Sequence, residues 1–465
     1  MDRLVHMHGC GLFNIQSTQI NTMIITSNAK QLDPSQEAAL ERIFEGRNVF
    51  LTGNAGTGKT TVITEFLKHQ PEDVAITATT GIAALNLRDQ IKANTGFEEN
   101  AMTIYRWAGI GIGPYNNAFQ GYENNEQCYK RLYDEMERPP FKYTRPAAIE
   151  RICAAEILII DEISMLPGKT LDFLDFWFRR LRSQDVPFGG IQVIFVGDFL
   201  QLPPVSKTGK YDWCFMSKSW KEADPFPAVL TRIHRQDADD FKSILNAVRV
   251  GKIGKNESAI LQQRVVRFPS SKIIRLYTHN VQVDKYNNMM LGLIDDEEFT
   301  FTMKDTGQSG CQWIRENLTC PEKLTIKVGA RVMLTVNLND GLVNGTIGTV
   351  TEIYGEANEV YIRPDGADED ARFRVERYRW DVYPGYPERG CVTQVPLRLA
   401  WATTIHKSQG LSLNAALIDA RAAREPGQAY VALSRVRTLP GLFLKDTFSG
   451  VFVSQDAINY TNAIS

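Results

Sequence analysis

Two stretches of this chain carry residue types at spacings suited to phosphate chemistry. The first is Gly53-Asn54-Ala55-Gly56-Thr57-Gly58-Lys59-Thr60, with Thr61 directly behind it. Its glycines let backbone N–H groups turn toward a triphosphate, and the helix that must follow adds the positive end of its dipole. Lys59 can then reach the β- and γ-phosphates of a nucleotide, and the Thr60 hydroxyl can hold Mg²⁺. The second is Asp161-Glu162, at the end of the apolar run 157–160. Asp161 can enter the Mg²⁺ shell. Glu162 is then free to orient or deprotonate the attacking water. An Asp-Glu pair in this place favours hydrolysis over phosphoryl transfer to a substrate.

Three further residues extend the set. The apolar run 191–196 ends in Gly197-Asp198-Phe199-Leu200-Gln201-Leu202-Pro203-Pro204-Val205. Third in this series, Gln201 is expected to hydrogen-bond the γ-phosphate and report its loss. Arg235 and Arg435 are expected to neutralise charge that spreads over the γ-oxygens in a loose transition state. Either arginine alone would read as a solvated surface residue.

Elements of a definite kind must position these residues. Strands over 49–52, 74–78, 158–161 and 191–196 alternate with helical patterns, which predicts one parallel α/β core. A helix capped by Asp33 or Ser35 opens it. A second core is expected from about Ala228, with strands over 273–278, 398–402, 415–419 and 442–444. Between them, 343–393 alternates apolar and polar residues around Gly and Asp turns, as a small inserted β-barrel would. The stretch 109–144 is rich in Asn, Gly, Tyr and Glu and reads as an insertion in the first core, with a helix near 127–137. The expected division is a tail over 1–30, a first core over 31–227 and a second core over 228–465.

Composition limits the alternatives. The chain has 465 residues, 43% hydrophobic and 23% charged, an ordinary globular balance. No apolar run is long enough to span a membrane. Net charge is −2, so any nucleic-acid track must be a local basic surface. Cys10, Cys128, Cys153, Cys214, Cys311, Cys320 and Cys391 form no C-x-x-C pair and have no His at metal spacing. They read as free, mostly buried thiols in a reducing compartment. Residues 1–30 lack the features of a secretory signal and the arginines of a mitochondrial leader.

In this order the motifs resemble a superfamily-one helicase, and in finer pattern the Pif-type (petite integration frequency) DNA helicases. The segments that carry the resemblance are Thr77-Ala78-Thr79-Thr80-Gly81-Ile82-Ala83-Ala84, Pro187-Phe188-Gly189-Gly190-Ile191-Gln192, Gly197 to Pro204, Val343-Asn344-Gly345-Thr346, Thr404-Ile405-His406-Lys407-Ser408-Gln409-Gly410 and Tyr430 to Arg437. The resemblance implies two RecA-like parallel-sheet cores with a small β-barrel insertion. It implies an ATP- and Mg²⁺-dependent DNA helicase moving 5′ to 3′ on single-stranded DNA. It puts Gln36 at adenine and Gly410 at the nucleotide. Single strands and strand–duplex junctions are the expected partners, the unit is a monomer, and the place is the cytoplasm of a bacterium or a viral host. Candidate DNA contacts at strand ends are Thr79, Thr80, Thr103, Thr278, His279, Asn280, Asn344, His406 and Lys407, small polar or basic groups suited to phosphate and sugar. Tyr105 and Trp107 are candidates for base stacking, although the family commonly has His at the place of Tyr105. Trp177, Trp213, Trp220, Trp380 and His234 read as packing. The alternatives are a RecD-like or RNA-directed translocase, a nucleotide-gated single-strand binding module and a P-loop kinase.

Overall fold

The strand that leads into the phosphate loop, β1 (Val49–Gly53), is buried along its whole length. An uninterrupted apolar run of this kind needs cover on both faces, as parallel sheets flanked by helices provide. A computed structural model describes residues 32–69, 73–96, 101–110, 145–206, 208–236, 238–267, 273–308, 311–318, 320–338, 344–355, 358–381, 390–446 and 450–464, with positions 127, 270 and 342. Residues 1–30 and nearly all of the expected insertion over 109–144 lie outside this set, as do Cys10 and Cys128.

β1 belongs to a six-stranded parallel sheet with β2 (Val74–Ala78), β3 (Met102–Thr103), β4 (Ile157–Asp161), β5 (Gln192–Gly197) and β6 (Phe226–Leu230), in the order β3-β2-β4-β5-β1-β6. Side chains alternate between its faces. Ile157 and Ile159 join the cluster under helices Pro34–Phe44 and Lys59–His69, whereas Leu158 and Ile160 join the cluster under helix Gly168–Arg182. The phosphate loop, the acid pair and the Gln201 loop follow β1, β4 and β5, which are neighbours. All three therefore emerge at one carboxyl edge, where open α/β sheets bind ligands.

The boundary expected at 227/228 falls inside β6. Phe226–Leu230 pairs in parallel with β1 and completes the first sheet. Pro227 lacks the N–H a central strand would need, yet β6 is an edge strand, and an edge tolerates the loss.

The second sheet begins with β7 (Ile274–Tyr277). The chain then leaves it through helix Asn280–Gly292 and an antiparallel region. That region contains β8 (Phe299–Thr302) and β9 (Lys304–Asp305), then β10 (Lys323–Ile326), β11 (Arg331–Leu334), β12 (Ile347–Tyr354), β13 (Glu359–Pro364), β14 (Phe373–Val375), β15 (Tyr378–Asp381), β16 (Cys391–Gln394) and β17 (Leu397–Leu399). A five-stranded sheet in the order β14-β13-β12-β11-β17 takes β11 and β17 from outside the expected span 343–393. The chain returns in β18 (Ala402–Thr404), β19 (Ala416–Ile418) and β20 (Leu442–Leu444), giving a parallel sheet β18-β7-β19-β20. The strand expected over 398–402 is thus two strands in different sheets.

Helix Gln455–Ile464 does not stay with the second sheet. Ala457 and Ile458 are buried in the first core's cluster. Tyr460 stacks on Phe215 with centroids 4.4 Å apart, meets Phe199 edge-on at 5.5 Å, and accepts a hydrogen bond from the Trp220 indole at 3.0 Å. The chain therefore crosses between the cores more than once, and its last helix closes an aromatic cluster begun by Phe50.

Candidate active site between the two cores

A cavity of about 610 Å³ opens between the two sheets. Ala55, Gly56, Gly58, Lys59, Thr60, Thr61, Asp161, Glu162 and Gln201 line it from the first core, Gly410, Ser412, Arg435 and Arg437 from the second. His234 and Arg235 line it from the segment between β6 and helix Asp239–Arg249. Arg235, expected on the second core, belongs to this link because β6 stays in the first sheet.

The loop is shaped by the remaining candidates. Lys59 Nζ donates to the carbonyls of Gly53 at 2.9 Å and Asn54 at 3.2 Å, and the Thr57 hydroxyl donates to Asn54 O at 3.0 Å. Gly56 and Gly58 have φ of 82° and 83°, a region that favours glycine. A Cβ at Gly56 would lie 2.5 Å from Arg235 Cβ, so the loop and the arginine can pack only without one. Gln36 is buried behind the loop. Its Oε1 accepts Asp33 N–H at 3.0 Å, closing a capping box, and its Nε2 donates to Thr57 O at 3.0 Å.

Burial sets the electrostatics. Burial pushes the Lys59 ammonium below its ordinary pKa, against the pull of Asp198, Glu162 and Asp161. Burial raises Asp161 to about 6 and, with Asp161 beside it, Glu162 to about 7. Glu162 adopts left-handed backbone (φ 54°), and Thr79 Oγ1 donates to its carbonyl at 3.0 Å, holding that turn. Burial, then Arg235, lowers Arg435 to about 9; its Nε donates to Val431 O at 2.8 Å and its Nη2 to Ser434 Oγ at 2.7 Å. The cavity thus faces Arg235, Arg435 and Arg437 toward a lysine and two acids.

The donor set fits Mg²⁺. The Thr60 hydroxyl and the Asp161 carboxylate line the same cavity and offer hard oxygens, few enough to leave places for phosphate and water. Among the described residues no group of three or more His, Cys, Asp or Glu forms a closed metal cage.

The DNA candidates are scattered by comparison. Thr80 caps helix Gly81–Thr95 and Thr103 caps helix Ile104–Trp107, each accepting a backbone N–H with its hydroxyl. Asn344 Nδ2 donates to Asn86 Oδ1 at 2.8 Å. Thr278 is buried, His279 and Asn280 start helix Asn280–Gly292 on the surface, and His406 and Lys407 form a short turn after β18. Tyr105 is half-buried against the first core. Trp107 is a correction. It is 3% exposed and meets Phe178 edge-on at 5.5 Å, so it packs and offers no face to a base. The four tryptophans read as packing are buried.

Sequence reasoning gave no site role to His234, Tyr430, Asn246, Asp198 or Arg249. His234 reads as packing but lines the cavity, with Nε2 2.7 Å from Asp33 Oδ2. Tyr430 is buried, and its hydroxyl accepts the Ala55 N–H at 2.8 Å. Asn54 Nδ2 donates to Asn246 Oδ1 at 2.7 Å. Asp198, two residues before Leu200 in the Gln201 loop, pairs with Arg249 at 2.8 Å. Long sequence separation hides all of these, although Asp198 stood inside a motif already noted.

Comparison with known proteins shows the family. A family model described as PIF1-like helicase matches residues 31–100 and 142–259, and one described as the 2B domain of DNA helicase Pif1 matches 313–353. The ATP-dependent DNA helicase Pif1 of Bdellovibrio bacteriovorus is 34% identical over 89% of this chain and 88% of its own length. The chain belongs to the PIF1-like helicase family. Among solved structures, the Pif1 of a Bacteroides species in complex with ADP-AlF4 is 31% identical over 94% of this chain and 97% of its own, with a TM-score of 0.75. Bacteroides Pif1 bound to ssDNA matches at 31% identity over the same shares, with a TM-score of 0.64. As a PIF1-like helicase, this chain is an ATP-dependent DNA helicase, and both parallel sheets and the antiparallel region agree with that family's fold. No helix among the described residues is long and apolar enough to cross a membrane.

Proposed function

We propose that this helicase uses Mg²⁺·ATP to translocate 5′ to 3′ along single-stranded DNA and to open duplexes at strand–duplex junctions. The observation that carries the reading is the cavity between the sheets, which sets Lys59, Thr60, Asp161, Glu162 and Gln201 opposite Arg435. Lys59 and the loop amides hold the β- and γ-phosphates. Thr60 and Asp161 would hold Mg²⁺, which would neutralise phosphate charge. Glu162 takes the proton of the attacking water, Gln201 senses the γ-phosphate, and Arg235 and Arg435 stabilise the charge that develops there.

Because the catalytic groups sit on both cores, hydrolysis is tied to their closure, and alternating closure moves the grip along a strand. Thr79, Thr80, Thr103, Tyr105, Thr278, His279, Asn280, Asn344, His406 and Lys407 are the contacts assigned to that strand. Gln36 is assigned to adenine, and Gly410 lets the second core approach the nucleotide. A monomeric working unit is part of the same reading. The described cysteines are all free, which suits a reducing cytoplasm. Strand displacement on duplexes with 5′ or 3′ tails tests the reading. Unwinding only from a 5′ tail supports it; unwinding from a 3′ tail, or ATP turnover indifferent to single strands, overturns it.

A further inference from the structure

The Gln201 loop has a partner on the second core. Asp198 is 1% exposed at the carboxyl end of β5. Its Oδ1 accepts the Leu200 N–H at 3.0 Å, and its backbone carbonyl accepts the Gln201 N–H at 2.9 Å. The side chain and the carbonyl of one residue thus fold the turn that presents Gln201. Both oxygens of the same carboxylate take the Arg249 guanidinium, Oδ1 from Nη2 at 2.8 Å and Oδ2 from Nε at 3.1 Å. Arg249 ends helix Asp239–Arg249, whose Phe241, Ile244, Leu245 and Val248 are buried in the second core's cluster with Tyr430 and Val431. One turn earlier on that helix, Asn246 holds Asn54 of the phosphate loop. A single helix of the second core therefore touches both the phosphate loop and the Gln201 loop of the first.

We propose that Arg249 is a positioning residue that reports the docking of the second core to the Gln201 loop through Asp198. The forked contact is geometric as well as electrostatic, since two parallel N–H···O bonds fix the carboxylate plane. The pair spans the two cores, so it exists only while they are docked. Once they part, Asp198 loses that partner, and the cation still acting on it is Lys59, whose charge it already attracts. Arg249 thus keeps Gln201 in place and keeps the Asp198 carboxylate from drawing Lys59 off the phosphates. This rests on the assignment of Lys59 and Gln201 to the nucleotide given above.

The test is Arg249→Lys, with Asp198→Asn and Lys59→Ala alongside. Arg249→Lys leaves the buried carboxylate compensated, so the protein folds, but it lacks the planar fork. The expected result is a kcat for ssDNA-stimulated ATP hydrolysis lowered roughly a hundredfold, the scale of a small misplacement at an active site, with the affinity for fluorescent ADP retained. Combining Arg249→Lys with Asp198→Asn should lower kcat no further than the worse single change, because both break one contact. Wild-type kcat in a folded Arg249→Lys protein overturns the inference, as does a lowered melting temperature with unchanged turnover. Lys59→Ala separates the two levels. If it abolishes turnover while Arg249→Lys does nothing, only the positioning role falls; if Lys59→Ala still turns over, the nucleotide assignment itself falls.

Discussion

The hydroxyl of Tyr430 accepts the backbone N–H of Ala55 at 2.8 Å, so a buried side chain of the second core closes the phosphate loop of the first. Burial pushes the Tyr430 phenol up to about 12, and it remains a neutral acceptor across the working range. Tyr430→Phe leaves the Ala55 N–H buried without a partner. The cost is about 1–3 kcal/mol of stability, read as a lower midpoint in denaturant titrations. An unchanged midpoint would show that the amide finds another acceptor.

Lys59→Ala should abolish ATP turnover while far-ultraviolet circular dichroism and melting stay near those of the parent. The ammonium is held by two carbonyls of its own loop, and burying it is costly, so its loss is a loss of function more than of fold. Turnover near the parental rate would refute the site.

The acid pair predicts a pH dependence. Glu162 has its pKa raised from 4.5 to about 7, so in the free protein it is protonated and unfit as a base below that value. The rate kcat/KM should therefore climb as pH rises through about 7, and Glu162→Gln should be slow and flat over the same range. The sign for stability is opposite. A carboxyl whose folded pKa is raised binds its proton more tightly when folded, so its contribution is present below about 4.5 and is lost as pH rises to about 7. Thermal melts of the parent and of Glu162→Gln from pH 5 to pH 8 check this; the parent should lose stability relative to the variant with rising pH.

Arg435→Ala should lower turnover roughly a thousandfold with nucleotide and single-strand affinities largely kept, the scale of a transition-state arginine. Arg435→Lys should recover little, since the fork that donates to Val431 and Ser434 is lost. Loss of DNA binding with turnover intact would place this arginine elsewhere.

Tyr460→Ala should destabilise the protein by about 3 kcal/mol, the low end for removing a large aromatic, because Tyr460 is only partly buried. Tyr460→Phe should cost about 1 kcal/mol, the worth of its bond to Trp220. Differential scanning calorimetry distinguishes the two.

The motifs assigned to the nucleotide were legible as motifs because each is local. Gly53 to Thr60, Asp161-Glu162 and Gln201 sit within a few residues of an apolar strand, and period and turn chemistry expose them. What was not legible depends on partners far away in sequence. The strand Phe226–Leu230 was not expected, and only its pairing with β1 places it in the first sheet. Trp107 looked like a stacking platform until its burial against Phe178 was known. His234 and Asp33 are 201 residues apart, Ala55 and Tyr430 375, and no window of sequence joins them. Helix Gln455–Ile464 has an amphipathic pattern that suits either core, so only packing assigns it to the first.

That assignment has a consequence in time. The aromatic cluster of the first core is finished by Tyr460, 240 residues after Trp220. At the usual pace of synthesis the ribosome needs on the order of ten to fifty seconds to make that interval. Through it, Phe50, Phe199, Phe215 and Trp220 wait with one wall missing. A nascent first core therefore shows a sticky aromatic face for as long as the second is being made, and it matures only when the chain comes back to it.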